Sequence, residues 1–177
     1  VFSSDDAGSP KADPTGSPTP SPPGSPSGDG IPSTYFGVHD HEPLGEPGAG
    51  WPEAPVGSLR AWDAGVTWKE IEQAPGEYAW DRLDAIVDTA EENDSDVLLV
   101  LGQTPAFHAV DPESESFYGP GASSPPDMRA WKAYVRAVAE RYAGRPVVLQ
   151  VWNEANVVGF WSGSQQEMAD LTKAAYE

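Results

Sequence analysis

The sequence predicts an α/β fold built on a parallel sheet. Two observations carry that expectation. From Ile31 onward, short apolar strand-like runs alternate with amphipathic helical patterns. Two of the runs, Asp96–Leu101 (DVLLVL) and Val147–Trp152 (VVLQVW), are nearly continuous apolar stretches, which suits parallel strands covered on both faces.

The elements follow in order. Thr34–His39 (TYFGVH) reads as the first strand and Gly57–Trp62 (GSLRAW) as the second. A helix is predicted over Asp81–Glu92, where Leu83, Ile86, Val87 and Ala90 fall on one face and Asp84, Asp88 and Glu91 point elsewhere. The third strand is Asp96–Leu101, and Asp127 then caps a helix that runs through Trp131, Tyr134, Val135, Val138 and Tyr142 to Gly144. After the fourth strand, Ser164 and Glu167 form a capping-box pattern that opens a last helix through Met168, Leu171 and Ala175. Right-handed crossovers follow from this order. An open doubly wound sheet and a β/α barrel both fit it.

Residues 1–30 differ in kind. They hold 7 Pro, 7 Ser and 5 Gly, and after Phe2 no large apolar residue occurs before Ile31. Such a segment buries too little to offset its ordering entropy, so it reads as a disordered linker or stalk preceding a domain over 31–177. A stalk points to an exported protein, extracellular or at a cell surface. The chain has neither a Met start nor a charged-then-apolar leader, so it is expected to begin after processing or after a cut.

Composition excludes several function classes. With 10 basic against 28 acidic residues the net charge is −18, which opposes binding to nucleic-acid phosphates. No apolar run approaches the roughly 18 residues of a membrane span. Zero cysteines remove disulfides, thiolate nucleophiles and Cys-ligated metal. His39 and His41 share a face of an extended segment beside Asp40 and Glu42, but a third ligand at regular spacing is missing, so neither a metal nor a cofactor is expected. The oligomeric state is not legible.

In either architecture ligands collect at the carboxyl ends of the strands. Those ends are polar and aromatic here. The second strand ends in Arg60-Ala-Trp62-Asp63, the third in Gly102-Gln-Thr-Pro-Ala-Phe-His108, and the fourth in Trp152-Asn-Glu-Ala-Asn156, followed by Phe160 and Trp161. Glu154, beside an amide and several Trp rings, is the candidate proton donor. Carbohydrate is the substrate that such a mixture suits, because aromatic faces stack on sugar rings while carboxylates and amides bind hydroxyls. Trp80 and Trp131 read as core. Trp62, Trp68 and Trp161 read either as core or as sugar platforms, and Glu154 taken alone reads better as a solvated loop carboxylate.

Taken together, the run Leu59–Trp68, Gly76–Trp80, Leu83-Asp84, Val97–Pro105 and Val151-Trp-Asn-Glu-Ala-Asn156 resembles the amino-terminal half of a clan A glycoside hydrolase. It is most similar to the family 39 β-xylosidase-like enzymes and their bacterial relatives. The resemblance implies a (β/α)8 TIM barrel, of which about the first four β/α units are present, and a retaining glycosidase that acts on a plant or microbial polysaccharide or oligosaccharide. It makes Glu154 the general acid/base, Asn153 the ligand of the sugar 2-hydroxyl and Arg60 the residue that orients the nucleophile. Trp62, Asp63, His39, His108 and Trp161 are the further substrate-lining candidates. Ala155 stands where the family usually has Pro, and Phe107 where a Trp often follows the Thr-Pro turn. The nucleophile belongs at the end of a seventh strand, beyond this chain. Glu42, Asp63 and Asp111 do not occupy its position, so a non-catalytic carbohydrate-binding or scaffold protein is the alternative.

Overall fold

A computed structural model describes residue 31, residues 35–45 and residues 50–177. The predicted linker over 1–30 and Thr34 of the first predicted strand lie outside the described residues.

The chain forms, in order, β1 (Gly37–His39), β2 (Ser58–Ala61), the one-turn helix α1 (Trp68–Ile71), a hairpin of β3 (Glu72–Ala74) and β4 (Glu77–Tyr78), α2 (Asp81–Glu92), β5 (Asp96–Leu101), a 3-10 turn at Ala106–His108, α3 (Met128–Arg141), β6 (Val147–Val151) and α4 (Gln165–Tyr176). The main sheet is parallel, with strand order β1-β2-β5-β6. Strand neighbours therefore follow the chain without a reversal. A doubly wound sheet reverses at a switch point, and no reversal occurs among the four described strands.

Register divides the sheet into two faces. Leu59, Ala61, Val97, Leu99 and Leu101 are buried in one core with Leu83, Ile86 and Val87 of α2, Trp131, Tyr134 and Val138 of α3, and Leu171 of α4. On the opposite face, pairing aligns His39 with Arg60, Arg60 with Leu98, and Leu98 with Val148. This face is open among the described residues, and Val148 is 53% exposed. The expectation of two covered faces thus fails at β6, which lies at the sheet edge among the described residues, and holds only in part at β5, where Leu98 on the same face is half-buried.

Each helix begins and ends for local reasons. The four apolar residues of α2 that share a face are all fully buried. Its acidic side pairs outward: Arg141 holds Asp84 through two hydrogen bonds, one of 2.8 Å, and Arg145 reaches Asp88 at 2.6 Å and Glu91. Asp127 caps α3 by accepting from the amides of Arg129 and Ala130 at 2.9 and 3.1 Å. Ser164 and Glu167 form the predicted capping box of α4. The sequence did not predict α1 or the β3–β4 hairpin, because one helical turn and two very short strands show no periodicity. A buried side chain fixes them instead: Glu72 accepts from Trp68 Nε1, from the Gly76 amide at 2.7 Å and from His108 Nε2 at 3.0 Å. Gly76, at φ +80°, makes the turn between the two strands.

Candidate active site

The carboxyl ends of β1, β2 and β6 and the loop after β5 converge on an open cleft of about 270 Å³, lined by His39, Arg60, Trp62, Asp63, Tyr118, Asn153, Glu154 and Phe160. Arg60 anchors it. Its Nε donates to Gln150 Oε1 at 3.1 Å and its Nη2 to Asn153 Oδ1 at 2.8 Å. The Asn153 carboxamide is thereby oriented, with its oxygen on Arg60 and its nitrogen 3.4 Å from Glu154 Oε2. Gln150 in turn donates to the Trp152 carbonyl at 2.8 Å, so the β6 end and the Arg60 guanidinium brace each other.

His39 Nε2 lies 2.8 Å from the Trp62 carbonyl. A carbonyl can only accept, so Nε2 carries the proton, and in the neutral ring Nδ1 is left as an acceptor. On the other wall Tyr118 donates to Asp63 Oδ2 at 2.8 Å and accepts from Trp62 Nε1 at 3.2 Å. Burial, followed by that bond to Asp63, pushes the Tyr118 phenol up to about 12.

Four non-glycine residues with left-handed backbone mark these strand ends: Asp63 at φ 58°, Gln103 at 63°, Trp152 at 64° and Glu154 at 44°. Such geometry costs of order 1–3 kcal/mol each and persists only where packing over-determines it. At Trp152 the packing is visible: its amide donates to the Leu101 carbonyl at 2.7 Å, its indole to the Phe160 carbonyl at 2.8 Å, and its ring meets Trp161 edge-on at 4.9 Å. Gly102 makes room beside it, since a Cβ there would sit 3.1 Å from the Trp62 ring and 3.6 Å from the Trp152 ring. The strain turns Asn153 and Glu154 out of the strand direction and into the cleft.

Of the residues singled out from the sequence, Glu154, Asn153, Arg60, Trp62, Asp63 and His39 meet in this cleft. Two do not. His108 turns inward, pairs with Glu72 and stacks on Trp68 with centroids 5.7 Å apart. Trp161 is buried among the helices and donates to the Ser164 carbonyl at 3.1 Å. Trp68 is core as well, and Trp62, although it lines the cleft, is only 3% exposed. Glu154 itself is exposed, so the described residues do not supply the desolvation that its Trp-rich surroundings suggested. Sequence reasoning missed Tyr118 and Phe160 as cleft residues. Tyr118 sits in a loop without periodicity, and the only signal for Phe160 was its nearness to the Asn-Glu pair.

Solved structures place this fold. A monomeric beta-xylosidase from Caulobacter crescentus CB15 superposes with a TM-score of 0.53 and 19% identity over 80% of this chain and 33% of its own. A glucosidase from Croceicoccus marinus gives a TM-score of 0.58 and 14% identity over 80% of this chain and 33% of its own. At these identities the likeness is one of fold: an α/β chain whose parallel sheet resembles that of glycoside hydrolase β/α-barrel neighbours. The GH39 enzyme from Xanthomonas axonopodis pv. citri matches at 26% identity over 66% of this chain and 26% of its own, with a TM-score of 0.46 that adds nothing to the fold argument. The chain spans about a third of the length of the first two enzymes. No protein-family model and no curated protein matches it.

Proposed function

We propose that this chain is the acid/base-bearing, amino-terminal part of a retaining glycoside hydrolase acting on a polysaccharide or oligosaccharide, with its nucleophile outside these residues. The observation that carries the reading is the Arg60–Asn153–Glu154 array at the carboxyl ends of β2 and β6, two parallel strands on either side of β5, where an amide held by a guanidinium stands beside an exposed carboxyl group. In this reading Glu154 protonates the leaving oxygen and later activates water, while Asn153 Nδ2 donates to the hydroxyl next to the bond being cleaved. A second carboxylate, about 5–5.5 Å from Glu154, attacks the anomeric carbon. His39 and Asp63 bind further hydroxyls. The Pro/Ser/Gly-rich composition of residues 1–30 supports placing the protein outside a bacterial cell, on a stalk.

One observation favours a second reading for the chain by itself. Asp63 is the other carboxylate lining the cleft, and Tyr118 already engages it. A single free carboxylate binds sugar without cleaving it, so these residues alone make a carbohydrate-binding surface.

The deciding experiment uses the protein encoded by the complete reading frame, assayed on aryl glycosides with good and poor leaving groups. Glu154→Gln should lower turnover of poor leaving groups by about 10²–10⁴, the range for a lost general acid, and that of activated ones far less. Equal losses on both, or no loss on either, would remove Glu154 from the acid/base role.

A further inference from the structure

A second concavity adjoins the cleft. It is a groove of about 590 Å³ between the loop that follows β5 and the loop that follows β6, lined by Glu113, Glu115, Ser116, Phe117 and Val158 with Gly159 at its base. Phe117 is 69% exposed and Val158 73% exposed. Phe117 is nonetheless held in place. Its amide donates to the Gly159 carbonyl at 3.2 Å, Ser116 Oγ donates to the same carbonyl at 2.9 Å, and its ring meets Phe160 edge-on at 5.1 Å. Phe160 lines the cleft and lies 6.5 Å from the Trp62 ring, so one aromatic residue separates groove from cleft.

We propose that this groove is a second sugar-binding subsite, which takes the neutral sugar unit adjoining the one held beside Glu154, with Phe117 as its stacking platform. The proposal rests on the glycosidase reading and deepens it. A fixed, exposed aromatic ring beside hydroxyl and carboxylate acceptors suits a ring with one apolar face and a hydroxyl rim. Glu113 and Glu115 accept from sugar hydroxyls and repel uronates, which makes the preferred unit neutral. Gly159 is part of the device, because a Cβ there would lie 2.4 Å from the Phe117 ring and would displace the platform.

The test titrates the protein encoded by the complete reading frame, carrying Glu154→Gln to slow turnover, with xylose and glucose and with their β-linked di- and trisaccharides, followed by NMR shifts and tryptophan fluorescence. Oligomers should bind about tenfold more tightly than the single sugar. Phe117→Ala should abolish that gain and leave single-sugar binding unchanged, and Gly159→Ala should do the same by moving the ring. Asn153→Ala should weaken every length alike. Binding without a gain on lengthening, or a gain that survives both groove variants, overturns the subsite and leaves the glycosidase reading standing. No binding at any length overturns both.

Discussion

Tyr134 shows how far packing governs single residues here. It is fully buried, its ring lies flat on Trp68 at 4.8 Å, and its hydroxyl finds no hydrogen-bond partner among the described residues. An unpaired buried hydroxyl carries a desolvation cost of about 1–3 kcal/mol, so Tyr134→Phe should leave the fold intact and raise the thermal unfolding midpoint. A lower midpoint would reveal a partner for the hydroxyl. Tyr118 is the opposite case, a hydroxyl with two partners. Its phenol is raised from 10.0 to about 12 in the folded chain, so its contribution is complete below about pH 10 and disappears as pH climbs toward 12. Tyr118→Phe should therefore cost about 1 kcal/mol at neutral pH, and the gap from the parent should close across that alkaline window in chemical unfolding. A gap independent of pH would mean that neither burial nor Asp63 raises the Tyr118 phenol. Neither behaviour is legible in the sequence, because nothing within a few residues of Tyr118 or Tyr134 indicates which has a partner.

At the scale of elements the sequence is far more informative. The spacing of Leu83, Ile86, Val87 and Ala90 gives α2 its buried face, and the Ser164–Glu167 pair gives α4 its start, both as the residues alone predict. Asp127 is the clearest case, since a carboxylate that accepts two free amides is what the first turn of α3 requires. The same amides hold its carboxyl below the ordinary value of 3.8, Ala130 foremost. Asp127→Ala should destabilise the chain by about 1 kcal/mol, and Asp127→Asn by less, as read from denaturant midpoints. Equal stability of all three would show that tertiary packing alone sets where α3 begins. What escaped the sequence at this scale was α1 with its hairpin. Their geometry comes from the Glu72 carboxylate, which is 2% exposed and reaches three donors, two of them outside the hairpin.

Among the described residues the parallel sheet has one face packed and one open. His39, Arg60, Leu98 and Val148 share the open face, while β1 and β6 are its edges among the described residues. Unpaired edges and exposed apolar side chains favour association, and a net charge of −18 opposes it. The 177-residue chain should accordingly self-associate more strongly as salt screens that charge, and Val148→Lys should reduce the effect in sedimentation velocity. A monomer at every salt concentration would mean that the face is inert. By itself the sequence determined the α/β class, the positions of the four strands of the main sheet and of α2, α3 and α4, and the polar, aromatic character of the strand ends, because hydrophobic period and capping are local. The grouping of Arg60, Asn153 and Glu154 came from the family resemblance. Only the tertiary structure decided which strand-end side chains share the cleft. Past the last ladder bond the backbone turns through left-handed residues at Asp63, Gln103, Trp152 and Glu154, so strict alternation no longer tells which way a side chain points. That reversal brings Asn153 and Glu154 toward Arg60. His108 and Trp161 were drawn away by partners distant or buried, Glu72 and the helix core, and Tyr118 was brought in by Asp63, 55 residues earlier in the chain.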